Sequence, residues 1–463
     1  MNRPPRYHLT AYTPLRLALA WLGGTFVLFL LLGNTQDVTN MGSLAAFVGA
    51  TLAMLTLGYV ANIKLNLAHV SVPEERATLS TQEVGKARKW IVAGSLFYLL
   101  FGLASLANYG LLSPAAVIQS VLNPGSSYFA RLRAAEDLAA AGVTSPLTQL
   151  LTLLSAIATP VVPFLVLYWS GRLGFGVRLF AAVGLGTYSA YWLAIGTLKG
   201  LGDIVVFAFA AMLVMVFGVW PRPRHRVDRK RVAAAIALGC LFAGYMVINQ
   251  GQRLVAGDIS GYDPNPVVAS VLGDQAARGL SVTIAYPTQG YLGLSKNLDT
   301  PFSWSGFRGS SRALDGYIEQ YTGSPSAYES TYPARTEQRT GYPALMYWAT
   351  IYPWLASDFT FPGTVLLMAV LGWWLARLWV EAAFLRRRLS VLLFAQLILL
   401  VAYIPANNQI GLMRPGLIAF ATLAAAYAVA AIHRFLGRQL RPRRSAAAEA
   451  SGTNRSRATM RVR

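Results

Sequence analysis

The sequence predicts an all-α polytopic integral membrane protein with about ten transmembrane helices and one long extracytoplasmic loop. The first reason is composition: the 463 residues are 55% hydrophobic and 13% charged, with a mean hydropathy of +0.44. A soluble domain carries about 25% charged residues. The second reason is the length of the apolar segments, and the third is the distribution of Lys and Arg between them.

The apolar segments have the length that a bilayer requires. A hydrocarbon core of about 30 Å needs about 20 apolar residues per helix. The first segment lacks a small-residue cleavage site, so we interpret it as a retained helix and not as a signal peptide. The predicted spans are residues 15–32, 43–63, 90–109, 150–170, 177–195, 202–219, 232–248, 361–380, 390–404 and 416–432.

The basic residues orient these spans. With the N-terminus in the cytoplasm, 29 of the 40 Lys and Arg fall in cytoplasmic loops and tails, including residues 222–231 and 386–388. Lys and Arg near span ends favour the cytoplasmic side, so we expect both termini there. Membrane topology accounts for the net charge of +21, which needs no nucleic-acid partner.

Four regions follow from this topology. Residues 1–249 are predicted to form seven transmembrane helices, and residues 358–435 three more. Between them, residues 250–357 form a loop rich in Gly, Pro, Ser and Tyr, and a loop of that length is usually functional or disordered. Its aromatic content favours function. Residues 436–463 are basic and rich in small residues, and we expect a disordered cytoplasmic tail.

The positions of histidine and cysteine limit the chemistry available outside the membrane. His8, His69, His225 and His433 all fall on the predicted cytoplasmic side. Without an outer imidazole we expect no zinc site there, and proton transfer would need Asp, Glu, Tyr or a ligand group. The single cysteine, Cys240, leaves no disulfide framework.

Candidate ligand-binding residues lie in the long loop. Arg278, Arg308 and Arg339 are spaced among acidic and aromatic side chains. Arg binds phosphate through two parallel hydrogen bonds, and flat aromatic faces suit sugar rings. The alternative is that these are solvated loop charges paired with their neighbours.

Three further residues lie at predicted outer turns or span ends. Lys199 precedes Gly200 at the start of a span, where an amine and backbone N–H groups can hold an anion; the alternative is a tight turn with a snorkelling Lys. Asp358 lies where the loop re-enters the membrane, so it either caps a helix or contacts substrate. Asn408 either donates hydrogen bonds to a substrate or ends a helix.

In this layout and in several stretches, the chain resembles the bacterial oligosaccharide repeat-unit polymerases, the Wzy-like integral membrane proteins. The stretches span roughly residues 285–409, and the rest matches only as hydrophobic helices. They are residues 290–295, 302–308, 339–341, 352–363 and 404–409.

The resemblance implies a GT-C-like helical fold and a metal-independent glycosyltransferase without a cofactor. Such enzymes transfer a growing glycan from one undecaprenyl-pyrophosphate carrier to a second carrier-linked repeat unit, at the outer face of the bacterial cytoplasmic membrane. The expected partners are the lipid-linked oligosaccharide, the bilayer, a flippase and a chain-length regulator. Related enzymes place an Arg-Gly turn near the pyrophosphate; here Lys199-Gly200 keeps the charge but loses the bidentate geometry.

The roles that we assign under this resemblance are chemical. Cations meet the charge that develops on the leaving diphosphate, and we assign this to Arg339, Arg308, Arg278 and Lys199. A carboxylate, Asp358 or Glu337, takes the proton of the attacking hydroxyl. Aromatic side chains hold sugar rings and the boundary with lipid, and these are Tyr291, Trp304, Trp348 and Trp354.

Two other functions remain open. An O-antigen-ligase-like transferase would use the same carrier lipid, although the outer face lacks the histidine of those ligases. A transporter or flippase for lipid-linked oligosaccharide would also need basic contacts, but it would be expected to carry charges within several spans. The spans of this chain are nearly free of charge.

Overall fold

The protein is a bundle of helices. The computed structural model describes residues 10–66, 81–140, 146–218, 229–257 and 266–458, and within these ranges every regular element is helical. His8, His69 and His225 lie outside these ranges. The first nine helices are α1 Thr13–Leu32, α2 Met41–Asn66, α3 Thr81–Asn108, α4 Pro114–Leu122, α5 Pro124–Ala140, α6 Pro146–Trp169, α7 Phe175–Ala194, α8 Lys199–Phe217 and α9 Arg229–Ala256. The others are α10 Pro266–Leu272, α11 Asp274–Leu298, α12 Arg312–Thr322, α13 Tyr332–Thr340, α14 Tyr352–Trp379, α15 Arg388–Tyr403, α16 Gln409–Leu412 and α17 Arg414–Ala458.

Seven helices of the described chain are long and apolar enough to cross a membrane, which confirms a polytopic membrane protein in outline. They belong to α1, α2, α3, α6, α8, α14 and α17, and each coincides with a predicted span. Helix α15 is apolar but has only 16 residues. Helices α7 and α9 overlap the remaining two predicted spans and are not among these seven. The count of ten remains a prediction.

The predicted long loop is largely helical, and its place outside the membrane remains a prediction. Residues 250–357 contain the end of α9 and all of α10 to α13. Helix α11 packs into the bundle, and its Tyr291 and Leu294 belong to the largest apolar core together with residues of α1, α2, α8, α14 and α15. The glycines and polar residues that indicated a loop lie on this helix.

The C-terminal segment continues the last helix. Helix α17 continues to Ala458, through most of residues 436–463 that we expected to be disordered. Ala, Arg, Gln and Glu have high helix propensity, and they dominate this segment. Residues 459–463 lie outside the described part.

A kink divides α14 into two parts. Thr360 has φ 64° and ψ 167° inside the helix, and Pro362 follows it. Pro removes a backbone donor and disfavours helical geometry before it. The first part therefore ends near Phe359, two residues before the start of the predicted span.

Candidate functional site

Asp358 anchors the loop that precedes α12. Its side chain is buried, and Oδ1 accepts hydrogen bonds from Ser305 Oγ at 2.5 Å and Gly309 N at 3.1 Å. Oδ2 accepts the N–H of Ser310 at 2.7 Å. Hydrogen bonds to a carboxylate are the strong ones. Because both oxygens are occupied, this geometry favours a positioning role over proton abstraction.

Asn408 holds the same loop from the other side. Its Nδ2 donates to Ser310 O at 2.6 Å, and its Oδ1 accepts from Gly411 N at 3.1 Å at the start of α16. Ser311 Oγ donates to Gly411 O at 2.9 Å. Both polar groups of the Asn408 amide therefore have protein partners, so the residue connects two segments and caps the start of α16.

Close packing brings a third stretch to this place. A Cβ on Gly290 of α11 would overlap Pro405 O and lie 3.0 Å from Thr350 N. Next to this contact, Ile351 N donates to Ile404 O at 2.9 Å. Only glycine permits so close a backbone approach. The stretches singled out in the sequence thus converge around residues 290, 305–310, 350–358 and 404–408.

The backbone here holds unusual conformations. Four non-glycine residues of the described chain have a positive φ, and three of them surround this network: Phe307, Thr350 and Thr360. Such conformations cost on the order of 1–3 kcal/mol each and persist where the surroundings over-determine them, often at functional sites. The network around Asp358 is the rigid element that fixes them.

The predicted phosphate ligands fall into two groups. In the first group, Arg308 Nη2 lies 2.6 Å from Asp315 Oδ1, and the buried Arg308 Nε has no hydrogen-bond partner among the described residues. Arg339 is exposed and donates to Asp299 O at 2.9 Å. Both residues belong to the helical segment that follows α11.

Glu337 lies near this first group. Its Oε2 accepts one long hydrogen bond, 3.3 Å from Ala344 N. Burial, together with the nearby Glu337 carboxylate, raises the pKa of Tyr328 to about 12. Of the two carboxylates predicted as proton acceptors, Glu337 is therefore the less committed to hydrogen bonds with the protein.

Lys199 belongs to the second group, at the start of α8. No side chain caps this helix, and the first intrahelical hydrogen bond runs from Gly202 N to Leu198 O. Lys199 Nζ pairs with Asp203 Oδ2 at 2.8 Å. Asp203 Oδ1 and Thr197 Oγ1 are buried without a hydrogen-bond partner. The turn thus combines a cation, free backbone donors and unsatisfied polar atoms.

Arg278 lies at the Lys199 end of the bundle. The next residue, Gly279, contacts Val247 O of α9, and Asn249 Nδ2 of α9 lies 3.5 Å from Gly196 O in the turn before Lys199. From Arg278 to the end of α11 a straight helix would extend about 30 Å. Because Arg278 and Arg339 lie near opposite ends of α11, we divide the four predicted cations into these two groups.

Two of the predicted sugar-binding aromatic residues are core residues instead. The Tyr291 side chain is 2% exposed, and its hydroxyl lies 2.9 Å from Thr25 Oγ1 of α1. Trp354 is 5% exposed and stacks on Tyr328 at 6.4 Å between ring centroids. Neither ring can cover a sugar. Sequence reasoning missed this because aromatic residues serve packing and ligand binding alike.

The other two aromatic residues remain accessible. Trp304 is 57% exposed, and its ring meets Phe307 edge-to-face at 5.3 Å. Phe307 in turn contacts Phe359 of α14 at 5.7 Å. Trp348 is half-buried and meets Tyr286 edge-to-face at 4.6 Å. These rings can meet a sugar or a lipid.

From the sequence, Asp203 is expected to do no more than complement the helix dipole, because it lies in the first turn of a predicted span. The signal that points to it is its position four residues after Lys199, because residues at that spacing face each other on a helix. Among the described residues, no group of three His, Cys, Asp or Glu side chains could hold a metal ion.

Known proteins were compared with the chain in three ways. No protein-family model matches it. No curated protein and no solved structure is significantly similar to it either.

Proposed function

We propose that the protein is a membrane glycosyltransferase that polymerises undecaprenyl-pyrophosphate-linked repeat units at the outer face of the bacterial cytoplasmic membrane. One observation carries the proposal beyond the resemblance: no side chain caps the start of α8 at Lys199, and beside it the Thr197 hydroxyl is buried without a hydrogen-bond partner among the described residues. The start of α8 lies in a protein with seven candidate membrane spans, as an enzyme of lipid-linked sugars requires.

The start of α8 suits a diphosphate for electrostatic reasons. Backbone N–H groups and the helix dipole favour an anion at a helix N-terminus. The Lys199 ammonium has three N–H donors, and its bond to Asp203 at 2.8 Å uses one of them. Asp203 therefore fixes the ammonium in place and leaves donors for a phosphate.

The reaction then follows from the chemistry of the lipid-linked sugar. The acceptor hydroxyl attacks the anomeric carbon, a new C–O bond forms, and the bond to the diphosphate oxygen breaks with its electron pair. Attack from the opposite face inverts the centre. Lys199 and Arg278 meet the charge on the leaving diphosphate. A ligand group receives the hydroxyl proton, because Glu337 lies with the other group of residues, near Tyr328 and Ala344.

The remaining predicted residues support this reaction from the surroundings. Arg308 and Arg339 belong to the segment after α11, and we assign them to the glycan. Trp304 and Trp348 provide accessible rings for sugars. Asp358 and Asn408 hold residues 305–311 in place. The partners are a flippase that delivers repeat units and a regulator of chain length.

A deletion strain tests the proposal. We expect loss of the polymer ladder while single repeat units still reach the outer face. Repeat units trapped on the cytoplasmic face would show a flippase instead, and polymer that accumulates on its carrier without transfer would show a ligase. An unchanged glycan profile would refute all three functions. Complementation with the wild-type gene is the control.

A further inference from the structure

Two arginines converge on Tyr128 at the end of the bundle that holds Lys199. The guanidinium carbon of Arg253, on α9, lies 3.5 Å from the centroid of the Tyr128 ring. That of Arg131, on α5, lies 5.0 Å from the same centroid. The two positive groups therefore approach one another across 122 residues of sequence.

No carboxylate among the described residues pairs with either guanidinium. Arg253 Nη1 has one neutral contact, at 3.4 Å from Gln250 Oε1. Arg131 Nε is buried and has no hydrogen-bond partner. Two half-buried like charges repel each other, and a buried charge is normally paired. This geometry points to an anion that is held beside the Tyr128 ring by the two guanidinium groups.

The chemistry of the two groups selects phosphate. A guanidinium presents a planar fork of donors that matches two oxygens of a phosphate. Two guanidinium groups beside one aromatic ring can each donate hydrogen bonds to different oxygens of a phosphate or diphosphate. Lys in either position would supply the charge without the fork.

The neighbouring surface indicates that the phosphate belongs to a lipid. Leu122, just before α5, is 67% exposed, and Val255, two residues after Arg253, is 64% exposed. Gln252 Nε2 donates to Leu122 O at 3.3 Å, so these apolar side chains border the arginine pair. Apolar side chains beside unpaired cations fit an amphiphile with an anionic head.

The site is also next to the Lys199 turn. A Cβ on Gly196 would overlap Pro124 O and lie 2.9 Å from Tyr128 N. Lys199 follows three residues later. The turn and the backbone of Tyr128 are therefore in direct contact.

We propose that Arg131 and Arg253, together with Tyr128, bind the phosphate or diphosphate group of a membrane lipid. This site is distinct from the start of α8. In the polymerase it holds the diphosphate of the second lipid carrier, an assignment that rests on the proposed function. The binding of a lipid phosphate by itself does not depend on that function.

Binding to the purified full-length protein in detergent tests the site. The probe is farnesyl diphosphate, compared with farnesol and inorganic pyrophosphate by isothermal titration calorimetry. We expect the double variant Arg131→Gln/Arg253→Gln to lose affinity for farnesyl diphosphate by about tenfold or more. Arg133→Gln is the matched control, because Arg133 is exposed on the same helix, and it should bind as the wild type does.

The outcomes separate the sources of the anion. Farnesol should not bind measurably, and pyrophosphate should bind more weakly than farnesyl diphosphate. Equal affinity of the wild type and the double variant would overturn the site. Equal binding of pyrophosphate and farnesyl diphosphate would overturn the lipid as its source.

Two controls separate this site from folding and from the proposed function. If the Gln double variant does not fold, Arg131→Lys/Arg253→Lys replaces it and keeps both charges. We expect this variant to bind farnesyl diphosphate with intermediate affinity. Wild-type affinity would show that the planar guanidinium groups are not needed. Polymer synthesis is scored separately in cells. If binding depends on the arginines but gene deletion leaves the polymer unchanged, the lipid-phosphate site stands and the polymerase function is refuted. If gene deletion abolishes the polymer but binding does not depend on the arginines, only the lipid-phosphate site is refuted.

Discussion

Asp358 Oδ2 accepts the backbone N–H of Ser310 at 2.7 Å, across 48 residues of sequence. The contact fixes the loop that precedes α12 to the first part of α14. Asp358 lies two residues before Thr360, where the kink occurs. Asn408 binds the carbonyl of the same Ser310. One residue of the loop is thus held through both of its backbone polar groups.

Asp358→Asn tests whether this carboxylate positions the loop. The amide can no longer accept from every donor, and a buried N–H left unsatisfied costs about 1–3 kcal/mol. We expect a lower unfolding temperature and faster proteolysis near residues 305–310. Asp274→Asn, at the exposed start of α11, should change neither.

A different result would restore the catalytic reading of Asp358. The Asp358→Asn variant could have the unfolding temperature and the protease resistance of the wild type and still make no polymer. In that case the Asp358 carboxylate takes part in the reaction. Polymer yield and limited proteolysis of the same membrane preparation distinguish the two roles.

Gly290→Ala tests the crossing of α11 with the turn after α15. The new methyl group would overlap Pro405 O, and overpacking of this kind costs about 1–3 kcal/mol. We expect a lower unfolding temperature by circular dichroism. Gly49→Ala in α2 is the control, because nothing lies within 4 Å of its added Cβ, and it should be neutral or slightly stabilising. An unchanged stability of Gly290→Ala would contradict the close crossing.

Gly290 also shows what the sequence could and could not predict. Long apolar runs signal their own helices, so hydropathy located α1, α2 and α14. Helix α11 carries polar residues and glycines, which are typical of a loop. In the structure, its glycines pack closely against neighbouring backbone, and its Tyr291 belongs to the apolar core. No sequence pattern predicts which backbone atoms pack against a given glycine, as Pro405 O packs against Gly290.

The candidate site was predictable to a similar extent. Lys199 stood out because it precedes Gly200 at a span end. The partners of Asp358 are mostly backbone N–H groups, which have no side-chain signature in a sequence. Arg278 and Arg339 looked equivalent in composition, and only the length of α11 separates them.

Lys199→Gln tests the proposed diphosphate site. The substitution removes the charge but keeps a polar side chain, so we expect folding to be retained and polymer yield to fall by about tenfold or more. Lys199→Arg should keep most of the yield. Lys64→Gln, an exposed residue at the end of α2, is the control. Normal polymer from Lys199→Gln would exclude the start of α8 as the diphosphate site.

Trp304 and Trp354 provide a matched pair, because both looked like sugar-binding residues in the sequence. Trp304 is 57% exposed, so Trp304→Ala should change the free energy of unfolding by no more than about 0.5 kcal/mol. Trp354 is 5% exposed, so Trp354→Ala should lower it by about 3–5 kcal/mol. Chemical denaturation followed by circular dichroism measures both. If Trp304 also holds a sugar, its variant will make less polymer at unchanged stability; a stable variant with normal polymer would remove Trp304 from the substrate contacts.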